Sequence, residues 1–599
     1  MIFELFPPET TNRLEGMFRG EPRFVLNPEM GDAFRIAARP DACFAEGGKT
    51  GLIYARDLLD DLKLKHGGVP CADYHDGPDL KFRCYHIDLK KGSGGVEDIK
   101  RTLDRLRQLR YNAVLIEYEN RIRLDSMPGV AAPDAFTHDE VKEIVRCAAE
   151  NGMTVIPLLQ SFGHLEYLLK LPAYRKYSES QTDFSQFCPL KEEAFELWKK
   201  AFDEIRSLHP DSEYFHIGGD ETRQLGHCPA CAEFVKDHSR EELFFSHIDR
   251  VCRYAVGQGV RPILWHDMLA RANRFDLLAK LPRETVLFYW EYNSPDELAG
   301  RIAFSGRVLV SRKWIGKVFS AREFCRAPHL FTDFIEDAPE EIRNGIGKML
   351  GENGELKLLP LHRPLRETKL TVFGASALSY PPRGALLLGD GELIRANMKM
   401  WLEKETEGHV VTRWAASDSL DPARGPASLR DPLLATAAQL MWRKTLTPDE
   451  LAERYDRSWG PNAGQITAML EMMAASGNET FFNWAEHLAP EFAAMEPEID
   501  PRLRRLFRKL CSAMNAELLF RKVRSLIWNR AGQLFRDDFG KGLEPQLPQV
   551  RQDLRENFAD EFPPEQLEEW LDRLFEPYEA LFAGLAVSRR QREREGKRS

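Results

Sequence analysis

Glu213-Tyr214-Phe215-His216-Ile217-Gly218-Gly219-Asp220-Glu221-Thr222 is the stretch on which the fold turns. An apolar run of strand length ends in two glycines, and two adjacent carboxylates follow. Glycine accepts backbone angles that other residues resist, so the chain can leave the strand sharply and approach a neighbour closely. Acidic residues immediately after a strand suit the C-terminal mouth of a parallel barrel, where that fold places its chemistry. Two carboxylates side by side at such a mouth can be driven apart in pKa, one staying ionised and the other kept protonated as a general acid. The same residues also suit a helix start, where Asp and Glu are favoured.

Working outward, short apolar runs alternate with amphipathic stretches. Arg83 to Leu89 reads as a strand, followed by a Gly92-Ser93-Gly94-Gly95 turn and a helix with Ile99, Leu103, Leu106 and Leu109 on its apolar side. Asn112 to Tyr118 is the next strand. Thr137 with Glu140 three residues on predicts a capping box, Val141, Ile144, Val145 and Ala148 the buried stripe behind it, and Asn151-Gly152 its end. Further strands are expected at Met153 to Leu159, Glu213 to Ile217, Pro262 to Trp265, Val286 to Trp290, Leu370 to Gly374 and Val410 to Trp414. Eight such runs predict an α/β chain built on a (β/α)8 TIM barrel, because parallel neighbours need crossovers of about a dozen residues or more.

The barrel is expected over residues 80–425, with an insertion near 301–368, which is too long for one crossover. Residues 1–79 predict a small N-terminal α/β domain, with Asp32 to Ala38 as strand and Gly51 to Leu62 as helix. Residues 426–599 lose strand signals and predict an all-helical C-terminal domain, ending in a charged, solvated tail over Arg589 to Ser599.

The 599 residues carry 83 Lys+Arg against 93 Asp+Glu, a formal charge of −10, which disfavours nucleic acid or an anionic membrane as partner. Glu4 and Pro7-Pro8 break any signal-peptide pattern, and no apolar run reaches the ~18 residues of a membrane span. Ten scattered cysteines fit a reduced compartment, so the expected location is the cytoplasm. Cys228 and Cys231 are spaced like a metal knuckle. Cys188, His227 and His238 could complete a zinc site, but a reduced structural pair is the preferred reading.

His216-Ile217-Gly218-Gly219-Asp220-Glu221 resembles the signature of the family-20 glycoside hydrolases, the β-N-acetylhexosaminidases. Phe82 to Asp88 is similar to that family's first strand, Leu159 to Glu166 to its third-strand loop, and Thr412-Arg413-Trp414 to its last strand. The Phe162-Gly163-His164-Leu165-Glu166 and Thr412-Arg413-Trp414 segments most resemble the intracellular hexosaminidase D branch. The resemblance implies exo-acting, retaining removal of terminal β-linked GlcNAc or GalNAc from a carbohydrate, with no metal or organic cofactor. The substrate's own acetamido oxygen would be the nucleophile. It makes Glu221 the general acid/base and Asp220 the group that orients the acetamido N–H. Arg83 matches an arginine that holds sugar hydroxyls, and Glu119 and His164 match acidic and imidazole groups behind the catalytic pair.

Trp265, Trp290 and Trp414 end predicted strands and suit the apolar face of a sugar. Tyr292 is the candidate donor to the acetamido oxygen, and Phe373 stands where relatives usually carry a tryptophan wall. Asp267, Glu291 and Asp418 could reach hydroxyls or equally sit on solvent-facing loops, and His216 is expected to pack rather than transfer protons. Two other readings compete. One is a metal-dependent barrel hydrolase using His164, His216, Asp220 and His266; the other is a non-catalytic sugar-binding barrel, which has no need of a general acid.

Overall fold

The computed structural model describes residues 4–90, 95–292, 294–296, 301–304, 307–310, 333–347, 359, 361–379, 398, 401–402, 406–414, 427–464, 466–467, 470, 493–529 and 542–596. Eight parallel strands close into a barrel: Phe82–Asp88, Ala113–Glu117, Thr154–Leu158, Tyr214–His216, Arg261–Trp265, Val286–Trp290, Thr371–Ser379 and Gly408–Arg413. Each overlaps one of the eight expected runs. The barrel closes where Gly408 of the eighth strand pairs with Phe82 of the first. The helix Val96–Gln108 buries Ile99, Leu103 and Leu106, and the helix His138–Glu150 starts with the Thr137/Glu140 capping box.

Side chains alternate across a strand, so one residue parity of each strand fills the barrel. Cys84, Ala113, Leu115, Ile156, Leu158, Ile263, Trp265, Val286, Phe288, Phe373, Ala375 and Val410 form that interior cluster. Its lower layer is aromatic: Phe82 stacks on Phe373 with centroids 4.8 Å apart and meets Tyr214 edge-on at 5.6 Å. Phe373 is therefore packing at the closed end of the barrel. The expectation that it replaces a wall tryptophan at the mouth is corrected, because it stands two residues before Ala375, the partner of Trp290.

Before the barrel lies a five-stranded sheet that includes Phe34–Ala38 and Cys43–Gly47 and packs on the helix Lys49–His66. After it, the described residues form helices, among them Ala427–Trp442, Pro448–Trp459, Arg504–Asn529 and Pro564–Gly596. Within residues 294–347 a separate small sheet (Ser294–Asp296, Arg301–Phe304, Arg307–Val310, Asp333–Phe334) precedes the helix Glu340–Gly347.

A buried polar node joins all three regions. Asp76 pairs with Arg110 and with Arg443, whose Nη2 lies 2.6 Å away, and accepts the Trp442 indole N–H at 2.8 Å. Arg110 lies over the Trp442 ring at 4.3 Å. Among the described residues no helix is long and apolar enough to cross a membrane.

Candidate active site

The two glycines after the fourth strand are required by both angle and space. Gly218 and Gly219 have φ of 70° and 87°, and an added Cβ would meet Gln160 Oε1 at 1.8 Å or Leu264 Cδ1 at 2.5 Å. The turn delivers Asp220 and Glu221 to the mouth. Asp220 is 8% exposed, whereas the Glu221 side chain is 39% exposed. His164, from the loop after the third strand, sits between them with Nε2 3.3 Å from Asp220 Oδ2 and 3.7 Å from Glu221 Oε2. Asp220 is the main reason His164 is raised to about 10, against the opposing effect of burial, so the imidazole is cationic at neutral pH.

Asp267 fixes the pair from the other side. Its Oδ2 accepts the Glu221 backbone N–H at 3.2 Å and its Oδ1 the Trp290 indole N–H at 3.4 Å. Burial, with Asp220 adding to it, raises its carboxyl above the ordinary range. Glu119, His164 and Glu221 all have left-handed backbones, with φ of 44°, 53° and 48°. A non-glycine residue there is strained, and three around one site mark a geometry imposed by the surrounding fold.

The aromatic side of the mouth is continuous. Trp414 donates its indole N–H to Tyr292 Oη at 2.9 Å, Tyr292 packs on Trp290 with centroids 5.3 Å apart, and Trp265 lies 5.7 Å from Trp414. Trp265 is fully buried against His216 and Phe288, so it supports Trp414 from below rather than presenting a sugar-facing wall. His216 accepts the Gly218 N–H at 3.0 Å through Nδ1, and burial lowers it to about 3, leaving it neutral.

Arg83 stands elsewhere. It is the second residue of its strand, and Cys84, two residues before His86 and four before Asp88, belongs to the interior cluster, so Arg83 has the outward parity. It is 1% exposed, with Nη2 2.6 Å from Asp32 and Nε donating to the Arg110 carbonyl at 2.8 Å. The expected sugar-binding role is thus corrected to a buried tie between the barrel's closed end and the N-terminal sheet.

Sequence reasoning missed the charged group beside the mouth. Lys90 Nζ lies 3.1 Å from Glu117, 3.3 Å from Asp88 and 3.5 Å from Glu119, and 5.5 Å from the Trp414 ring centre. Burial alone would lower Lys90, but Asp88, Glu117 and Glu119 outweigh it and hold the ammonium above its ordinary value. Burial also raises Glu119, helped by Glu117 and Asp88 and opposed by Lys90. The signal was present: Asp88 and Glu117 are the last residues of their strands, and they pair in register. Glu291 is half-buried beside Trp290, and Asp418 lies outside the described residues. His266 packs on Tyr289 and is held well below its ordinary value by burial. Among the described residues, ligand atoms of three or more His, Cys, Asp or Glu converge only at Glu179, Cys188, Cys228 and Cys231.

Residues 80–314 match the catalytic domain of glycosyl hydrolase family 20, a match that takes in six of the eight barrel strands and the whole Asp220-Glu221 turn. Over that stretch the chain is similar to the catalytic domain of the family. Hexosaminidase D of Bos taurus is 30% identical over 226 residues, covering 37% of this chain and 65% of the relative. Hexosaminidase D of Homo sapiens is 29% identical over 229 residues, covering 37% and 47%. The chain therefore spans just under two thirds of one of these curated relatives and about half of the other. The β-N-acetylhexosaminidase structure from Bacteroides fragilis NCTC 9343 has a TM-score of 0.50 at 18% identity, covering 74% of this chain and 91% of its own. The Streptomyces plicatus N-acetyl-β-hexosaminidase structure also scores 0.50, at 17% identity, covering 78% and 88%. These two likenesses concern the fold alone and agree with the closed eight-stranded barrel.

Proposed function

We propose that this chain is an exo-acting retaining β-N-acetylhexosaminidase that removes terminal β-linked GlcNAc or GalNAc by substrate-assisted hydrolysis. The observation that carries the reading is the division between two adjacent carboxylates. Asp220 is buried and paired with a cationic His164, whereas Glu221 reaches solvent at the mouth. An ion-paired carboxylate suits charge stabilisation and an accessible one suits proton exchange.

In the first step the acetamido carbonyl oxygen attacks the anomeric carbon as the glycosidic C–O bond breaks. Glu221 gives its proton to the leaving oxygen, and Asp220 accepts the acetamido N–H and offsets the positive charge of the oxazolinium. Water then attacks the same carbon and gives a proton back to Glu221, reopening the ring with net retention. Tyr292, held by Trp414, is the candidate donor to the acetamido oxygen; Trp290 and Trp414 form the apolar wall. Lys90 supplies a cation near the mouth, the charge type earlier sought in Arg83.

The proposed organisation is a small α/β domain over 1–79, the catalytic barrel over 80–425 and a helical domain over 426–599, acting in the cytoplasm on N-acetylhexosamine-terminated carbohydrate. The test is phenol release from matched β-GlcNAc, β-GalNAc and β-glucoside substrates, with a thiazoline mimic of the oxazoline as inhibitor. Cleavage confined to the acetamido sugars and blocked by thiazoline is the expected result. Equal cleavage of the glucoside would overturn acetamido participation.

A further inference from the structure

Away from the mouth, the ligand atoms of Glu179, Cys188, Cys228 and Cys231 all lie within 4.8 Å of one another. Cys188 Sγ is 3.5 Å from Cys228 Sγ and 3.6 Å from Cys231 Sγ. Zinc bonded to sulfur at ~2.3 Å in a tetrahedron sets sulfur–sulfur edges of about 3.8 Å, close to these separations. A disulfide needs about 2.05 Å and would leave the third sulfur over.

Glu179 supplies the second, independent observation. It is 1% exposed. Its Oε1 accepts the backbone N–H groups of His227 at 2.8 Å and Cys228 at 3.0 Å. Its Oε2 is buried with no hydrogen-bond partner. Burying a carboxylate oxygen without a partner is costly, and a cation among the three sulfurs removes that cost.

The local backbone also has the form of a metal knuckle. Cys228 caps the helix Pro229–Asp237, and the Cys231 N–H donates to Cys228 Sγ at 3.4 Å. His227 contributes its backbone N–H, and His238 stacks on Phe234 at 4.4 Å.

We propose that Glu179, Cys188, Cys228 and Cys231 bind one structural zinc ion, the three cysteines as thiolates and Glu179 through Oε2. Binding to the reduced chain releases the three thiol protons and leaves no coordination position open for substrate. This assignment reverses the preference for a reduced cysteine pair drawn from spacing.

The ion crosslinks two loops. Glu179 and Cys188 follow His164 on the loop after the third strand, and Cys228 and Cys231 follow Asp220-Glu221 after the fourth. Weaker ties already join them: Gln224 N–H to Gln186 Oε1 at 3.0 Å and Gln224 Nε2 to Asp183 Oδ2 at 2.8 Å. Zinc thus stabilises the junction that sets His164 against Asp220.

Elemental analysis of the full chain, purified under reducing conditions without chelators or metal-affinity resin, should find about one zinc per chain. Cobalt(II) substituted for zinc should give thiolate-to-cobalt charge-transfer absorption, losing about a third of its intensity in each of Cys188→Ala, Cys228→Ala and Cys231→Ala. Glu179→Gln keeps every thiolate and serves if a cysteine variant fails to fold. It should weaken zinc binding by on the order of 10–100-fold, the loss seen even for an outer-shell partner. A reduced, folded chain that binds neither zinc nor cobalt overturns the proposal. So does an unchanged affinity in Glu179→Gln, a different stoichiometric metal on these ligands, or a disulfide at Cys188 in anaerobically purified protein. Each readout is metal content or spectrum, so failure here leaves the glycosidase reading untouched.

Discussion

His164 Nε2 and Asp220 Oδ2 lie 3.3 Å apart, an ion pair that joins the loops after the third and fourth barrel strands. The pair raises His164 from an ordinary 6.5 to about 10 in the folded state. A group protonated more strongly when folded contributes stability fully below its unfolded pKa and loses it as pH rises through the folded one. His164→Gln should therefore unfold at lower urea than the parent at about pH 6, with the gap closing above about pH 10. A gap that does not change with pH would remove the imidazolium as its source.

Glu221→Gln should lower turnover of alkyl glycosides by about 10²–10⁴, the usual worth of general acid catalysis, and that of nitrophenyl glycosides far less. An activated phenol leaves with little protonation. Equal losses across a leaving-group series would remove Glu221 from the acid role.

Asp220→Asn should depress kcat by about 10²–10³, as expected for removing one preorganised electrostatic contact to the transition state. Binding of free GlcNAc, followed by calorimetry, should stay largely intact. Undiminished turnover would take Asp220 out of the mechanism.

Arg83→Met leaves Asp32 without its cation and strips a donor from the Leu80 and Arg110 carbonyls. Breaking such a buried pair should cost about 3–5 kcal/mol, read as a lower urea midpoint. KM should be unchanged, and a raised KM with an intact midpoint would return Arg83 to the sugar.

Lys90→Met removes the cation shared by Asp88, Glu117 and Glu119. The carboxylates repel more as they ionise, so the fall in thermal midpoint should be larger at about pH 9 than at about pH 5. The reverse order would show that lost packing dominates.

The barrel was readable because its strands are buried on both faces and stand out as apolar runs, as in Val286–Trp290, and because its helices start with local chemistry such as the Thr137/Glu140 box. Arg83 went wrong for a definable reason. A motif match fixes a position along the strand, but parity decides which face the side chain takes, and Cys84 holds the inward face beside it. Lys90 was overlooked because its importance comes from three carboxylates on two strand ends and a loop. Glu179 and Cys188 lie roughly forty to fifty residues before Cys228, far beyond knuckle spacing, and only the fold brings them together.

The positive φ angles of Glu119, His164 and Glu221 have a bearing on attempts to evolve a hardier form of this protein. Glycine or asparagine fits the left-handed region better than Glu or His, so a search that selects only for heat resistance will be drawn to these positions. Relief of backbone strain there would raise the melting point and erase the proposed acid, its imidazole neighbour or the buried Glu119 in the same step. Screens for robustness should hold these three codons fixed and look for gains in the N-terminal sheet and the C-terminal helices.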